Sequence, residues 1–155
     1  MLTARVAIFT PLGVPLVVTS DGEGICGASF TRRARVQAMA PDALLREARR
    51  QVDAYFKKRL RRFDLPLRFE GTDFQKEVWS FVAALEAGEI ISYGDLARCI
   101  GRPRAHRGVA AAMRMTPLDL FIPAHRVVGA DGSVRGAARG SMRRRLLAFE
   151  GITLR

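Results

Sequence analysis

Few residues in this sequence can make or break a covalent bond or hold a metal. There are two cysteines, Cys26 and Cys99, and two histidines, His106 and His125. That stock is poor for zinc, which takes four Cys or His ligands at short spacings, so no metal or other cofactor is expected. Two thiols also make no disulfide framework, and a reduced, cytoplasmic setting is the default. Cys26 falls in a strand-like stretch and reads as a small core hydrophobe, as does Cys99 in a helical one. The chemistry that the sequence favours is therefore electrostatic. Lys and Arg total 26, Asp and Glu total 15, and 23 of the 26 cations are arginine. The charge is segregated: residues 32–62 carry net +8, residues 98–155 carry net +9, and the rest carries net −6. Such a field suits a polyanion, because each phosphate neutralised releases counterions, and arginine forks onto phosphate and stacks on bases. Acidic partners, an anionic membrane surface or a merely solvated basic surface fit the charge as well.

One arrangement of arginine is more specific. A helix is expected from Pro103 to about Met115, with Pro103 at its first position. Ala105, Gly108, Ala110, Ala111 and Ala112 keep it narrow, and His106, Arg107 and Arg114 are its long side chains. Small residues let a helix approach a groove closely, and they serve tight helix packing equally well. Arg107 within that face tilts the reading toward a nucleic-acid groove.

Residues 4–30 are strands and turns, with Asp21-Gly22-Glu23-Gly24 as a strong turn, giving a β-meander or hairpin with Cys26 on its second strand. A helix is expected from Pro41 to Phe63, capped by Asp42, with Leu44, Leu45, Ala48, Val52, Phe56 and Leu60 as its apolar stripe. Leu65 to Phe69 reads as an extended crossover. Thr72 and Gln75 have the form of a capping box before Phe74, Val78, Phe81, Val82 and Leu85, with Trp79 beside that stripe. Ser92 opens a further helix, and Gly101-Arg102-Pro103 turns it into the Ala-rich one, a helix-turn-helix pattern. Met142 to Glu150 reads as a short helix.

At 155 residues and 48% hydrophobic composition the chain can bury a core, and it has no stretch fit for a membrane span or a signal peptide. The fold class is α+β. Residues 1–69 form a small antiparallel sheet with a helix, and residues 70–155 a mostly helical, winged-helix/helix-turn-helix domain.

Three stretches carry a family resemblance: Gly71 to Trp79, Ile91 to Ala97, and Ile122-Pro123-Ala124-His125-Arg126-Val127-Val128-Gly129. Leu146 to Gly151, Thr10 to Gly13 and Gly24 to Gly27 extend it. They resemble the O6-alkylguanine-DNA alkyltransferases over nearly the whole chain. The resemblance implies a ribonuclease-H-like first domain and a second that docks a helix-turn-helix in the minor groove and rotates the target nucleotide out. It also implies a Cys nucleophile in a Pro-Cys-His-Arg signature, activated as a thiolate by a His and a Glu. Here that position is Ala124, whose methyl group has no lone pair, leaving His125 and Glu150 vestigial. No catalytic residue is then active, and the expectation is a chain that is not an enzyme. It resembles the alkyltransferase-like subgroup, in which the Cys is replaced.

Residue by residue, the resemblance implies that Arg107 is the finger that fills the space of the extruded base. Tyr93 crowds the phosphate of the flipped nucleotide, and Ala105, Gly108, Ala111 and Arg114 complete the DNA-facing surface. Arg126 is either an ion-pair partner or a DNA ligand. Ala124, Val134, Ala137, Ala138 and Arg139 line the base pocket, which the missing thiol and the small Ala137 widen. Arg139 points either to the base or to solvent or phosphate. Thr116 stands where the family has Asn. The expected function is recognition of O6-alkylguanine in duplex DNA without alkyl transfer, by a nucleoid-associated monomer that flags lesions for nucleotide excision repair proteins and has no membrane partner. Two alternatives stay open: a methylated-DNA–protein-cysteine methyltransferase whose Cys has been changed to Ala to trap substrate, and a general DNA-binding module.

Overall fold

The structure is a computed structural model that describes residues 3–33, 42–134 and 140–152. Two compact units share the chain. Unit 1 holds Met1–Glu70 and Pro117–Phe121, and unit 2 holds Gly71–Thr116 and Ile122–Arg155. The segment Pro117–Phe121, assigned from sequence to the second domain, thus belongs to the first unit.

Unit 1 is built on an antiparallel sheet of β1 (Ala4–Ile8), β2 (Leu16–Ser20) and β3 (Ile25–Phe30), in the order β1-β2-β3. The meander is the expected one, but Cys26 lies on its third strand. The turn before β3 forms because Asp21 Oδ1 accepts the amides of Glu23 and Gly24, both at 2.9 Å, and Gly22 takes φ +89°. Helix α1 (Ala43–Phe56) is capped by Asp42, whose Oδ1 accepts from the Leu45 amide at 2.8 Å. Its other oxygen accepts from Ser20 Oγ at 2.7 Å, tying the cap to β2.

Helix α1 ends seven residues before the expected Phe63. Lys58 adopts φ +59°, its amide bonds Tyr55 O at 3.0 Å, and the Arg59 amide reaches Ala54 O at 2.9 Å. Those two bonds are a Schellman motif with lysine at the position that glycine normally fills. Leu60 therefore lies beyond the helix. Gln51, on the polar side of the expected stripe, is buried and pins the chain that follows: its amide donates to Asp64 O and accepts from Asp64 N, both at 2.8 Å. Leu67 bridges Ile25 in parallel, and Leu118 bridges Ala28 likewise, with Asp119 Oδ2 accepting from the Phe30 amide at 3.1 Å.

In unit 2, α2 (Asp73–Ala83) begins at the expected capping box, Gln75 N to Thr72 Oγ1 at 3.1 Å and Thr72 N to Gln75 Oε1 at 3.0 Å. It buries Val78, Trp79 and Val82, while Phe74 and Phe81 are half-buried. Strand β4 (Ile91–Ser92) leads into α3 (Tyr93–Cys99), capped by Ser92. Helix α4 (His106–Arg114) follows, then a 3₁₀ turn (Ala124–Arg126), β5 (Val127–Val128) parallel to β4, and α5 (Gly140–Phe149). Pro103 is not the first residue of α4. It sits second in a β-turn closed by Ala105 N to Arg102 O at 2.9 Å, a place its fixed φ also suits, and the helix starts at His106. Among the described residues no helix is long and apolar enough to cross a membrane.

Candidate functional site

The Pro-Ala-His-Arg stretch is held by its own backbone first. Pro123, at φ −76° and ψ 74°, makes an inverse γ-turn in which the Ala124 amide bonds Ile122 O at 2.7 Å. The Arg126 amide then bonds Pro123 O at 2.9 Å, and Val127 and Val128 pair with β4. Ala124 is 9% exposed, and His125 and Arg126 are each 1% exposed.

Behind the turn lies a polar network around Glu150, which follows directly on α5. His125 Nε2 is 2.6 Å from Glu150 Oε2. Arg126 donates to both carboxylate oxygens at 2.9 Å and, through Nη1, to Leu85 O at 2.7 Å. The Gly88 amide donates to Glu150 Oε1 at 3.0 Å. Arg126 is therefore an ion-pair partner in this structure, resolving the choice that its sequence left open. A bidentate Arg–carboxylate pair whose third nitrogen is also bonded is the arrangement that offsets the cost of burying two charges.

Electrostatics set the protonation states. Burial pushes the His125 pKa down and outweighs the opposing pull of the Glu150 carboxylate. Burial alone would raise the Glu150 carboxyl, but hydrogen bonds from His125 and Arg126 hold it far below the usual carboxylate range. A neutral imidazole that donates Nε2–H to a carboxylate keeps a lone pair on Nδ1. It can take a proton from an acidic neighbour. The adjacent residue is Ala124, which has none to give.

The other expected site residues of unit 2 range from exposed to buried. Arg107, Ala111 and Arg114 lie on the exposed face of α4 at positions i, i+4 and i+7, opposite the buried Val109, Ala112 and Met113. Ala105 is the half-buried N-cap residue. Gly108 is half-buried, and a Cβ there would stand 3.2 Å from the Phe74 ring, so packing on α2 accounts for its size. Tyr93, first in α3, is 9% exposed. Val134 is half-buried, while Ala137, Ala138 and Arg139 lie outside the described residues. Thr116 is buried and donates to Met113 O at 3.4 Å.

Sequence reasoning missed the supports. Trp79 is buried, and its indole donates to Ala112 O at 2.9 Å, which fixes α4 on α2. Arg143 donates to Met113 O at 2.8 Å from α5. Neither cysteine is a core residue. Cys99 is exposed at the last position of α3, and Cys26 is half-buried, its thiol pushed up mainly by burial. Among the described residues no group of three or more Cys, His, Asp or Glu is placed to hold a metal.

Residues 7–69 match the family described as 6-O-methylguanine DNA methyltransferase, ribonuclease-like domain, and residues 73–152 match its DNA binding domain. The methylated-DNA–protein-cysteine methyltransferase of Methanosarcina acetivorans is 39% identical over 153 residues, covering 94% of this chain and 97% of its own. The Mycobacterium tuberculosis O6-methylguanine methyltransferase superposes with a TM-score of 0.83 at 32% identity, covering 96% of this chain and 93% of its own. Mycobacterium tuberculosis OGT in complex with DNA gives 0.79 at 34% identity, over 93% and 90% of the two chains. These likenesses overturn one expectation. The relatives that match the chain from end to end are named as methyltransferases, so its kinship is with an enzyme and not with an inactive homologue.

Proposed function

Since this chain belongs to the 6-O-methylguanine DNA methyltransferase family, we propose that it acts on O6-alkylguanine in duplex DNA with a methyltransferase apparatus assembled around position 124, where alanine stands in the acceptor place. The observation that carries this reading is the buried His125–Glu150–Arg126 network directly behind Ala124. Burying two charges is costly, and here each Arg126 nitrogen and both Glu150 oxygens are hydrogen-bonded. With a cysteine at 124, His125 would take the thiol proton. The thiolate would attack the alkyl carbon, the S–C bond would form as the alkyl C–O6 bond breaks with its electron pair left on the base, and the proton taken up by His125 would return to the departing base to restore guanine.

In this reading α3 and α4 dock as a helix-turn-helix in the minor groove. Arg107 enters the base stack, Tyr93 crowds the phosphate of the extruded nucleotide, and Arg114 contacts the backbone. Flipping is easier at a damaged pair, which supplies part of the selectivity. Val134, Ala137, Ala138 and Arg139 would complete the base pocket.

The test is Ala124→Cys incubated with a duplex carrying radiolabelled O6-methylguanine. One methyl group per chain is expected, and the unaltered chain should bind that duplex more tightly than the unmodified one. The alkyltransferase-like reading, in which lesions are handed to nucleotide excision repair, differs in its outcome: tight lesion binding with the label left on the DNA after Ala124→Cys. That result would overturn the proposal. Arg107→Ala should weaken lesion binding by about tenfold or more while the fold, followed by circular dichroism, is unchanged.

A further inference from the structure

The reading above rests on unit 2 and leaves the basic stretch 32–62 unused. In unit 1 the described part of that stretch puts Arg46, Arg49 and Arg50 on the exposed face of α1, with Lys57 exposed at its C-cap. Beside them, β1 ends in Ala7 and Ile8 and is followed by Phe9. Together with Pro11 and Phe56 these residues floor a groove of about 560 Å³ whose wall carries Arg46, Arg49, Arg50 and Asp53. Phe9 is 88% exposed, more than any other large apolar side chain among the described residues.

The charges of the groove are arranged, not merely abundant. Glu47 holds the Arg50 guanidinium with bonds of 2.9 and 2.5 Å, which fixes its plane. Lys57 pairs with Asp53 at 2.8 Å, so the acid on the wall is already countered. The groove thus sets Arg46, Arg49 and Arg50 along one helix beside apolar side chains that end in the open Phe9 ring.

We propose that this groove is a second nucleic-acid site and that it takes a single strand, with one unstacked base on the Phe9 ring and the flanking phosphates on Arg46 and Arg49. A duplex keeps its base faces stacked and would leave Phe9 without a partner. An acidic peptide would satisfy the cations but has no repeated flat surface for the ring. The site is independent of the lesion site in unit 2.

The experiment uses the full chain and a short oligodeoxythymidine containing one 5-iodouracil, which crosslinks on irradiation to an aromatic ring stacked on it. Mass spectrometry should map the crosslink to Phe9. Its yield, titrated against oligonucleotide, should reach half-saturation at about tenfold higher concentration in Arg46→Glu/Arg49→Glu. Lesion-duplex binding reports separately on unit 2, and it should persist in that double variant. Crosslinks confined to unit 2 would overturn the proposal. So would a polyglutamate competing as well as an unlabelled oligonucleotide of equal charge, which would assign the groove to acidic peptides.

Discussion

Neutralising Glu150 would strand the Arg126 guanidinium in a site where it is 1% exposed. Breaking a buried pair from one side costs ~3–5 kcal/mol, so Glu150→Gln should lower the urea midpoint sharply, by more than any exposed substitution on α4. The same network makes stability depend on pH. His125 is held neutral in the folded chain but takes a proton near pH 6.5 once unfolded. Glu150 stays ionised when folded and has an ordinary value of 4.5 when unfolded. In both cases the unfolded chain binds more protons as pH falls. Stability is therefore full above about pH 6.5 and is lost on acidification, first through His125 at up to ~1.4 kcal/mol per pH unit and then, below about 4.5, through Glu150. Urea titrations between pH 7.5 and 5.5 should show the first part, and His125→Gln should flatten it. His125 and Glu150 were legible as a pair because they sit in recognisable stretches. The Gly88 amide and the Leu85 carbonyl were not, since backbone atoms leave no mark in a sequence.

At the scale of elements, capping was legible and helix length was not. Asp42, Thr72 with Gln75, and Ser92 each act where a short polar side chain precedes an apolar run. The end of α1 carries no glycine or proline, and its apolar spacing continues to Leu60, so sequence overextends it. Lys58 pays for that end with a left-handed backbone, φ +59°. Lys58→Gly should therefore raise thermal stability, by up to ~1 kcal/mol. Helix α4 was legible as narrow, but the reason is divided between its faces. Ala111 is small on the exposed side, whereas Gly108 is small because Phe74 lies against it. Gly108→Val should cost ~1–3 kcal/mol in a denaturation titration by pushing α4 off α2, with a loss of DNA affinity following from the displaced helix.

For the whole molecule, the α+β order of sheet, helix and helical region was legible from periodicity and turn signals. The second crossing of the chain between units was not. A sequence reading cuts once, at residues 69 and 70, but Leu118 and Phe121 pack in unit 1, where Phe121 meets the Phe63 ring edge-on at 5.0 Å between centroids. Nothing local distinguishes this apolar pentapeptide from the buried Ile122 to Val128 that follows. Leu120 marks the departure: its φ is +70°, with the Phe121 amide bonded back to Asp119 O at 2.9 Å, a tight γ-turn that hands the chain on to unit 2.

That loan of five residues decides how the protein can be taken apart. A cleavage after Glu70 yields a leading fragment short of one backbone neighbour for Ala28 and Phe30, and a trailing fragment carrying Leu118 and Phe121 with their burial site removed. Neither piece is a whole folding unit. Expressed singly they should be sticky and poorly soluble, and mixed together they should reassemble by fragment complementation, with the pentapeptide as the dowel that rejoins them.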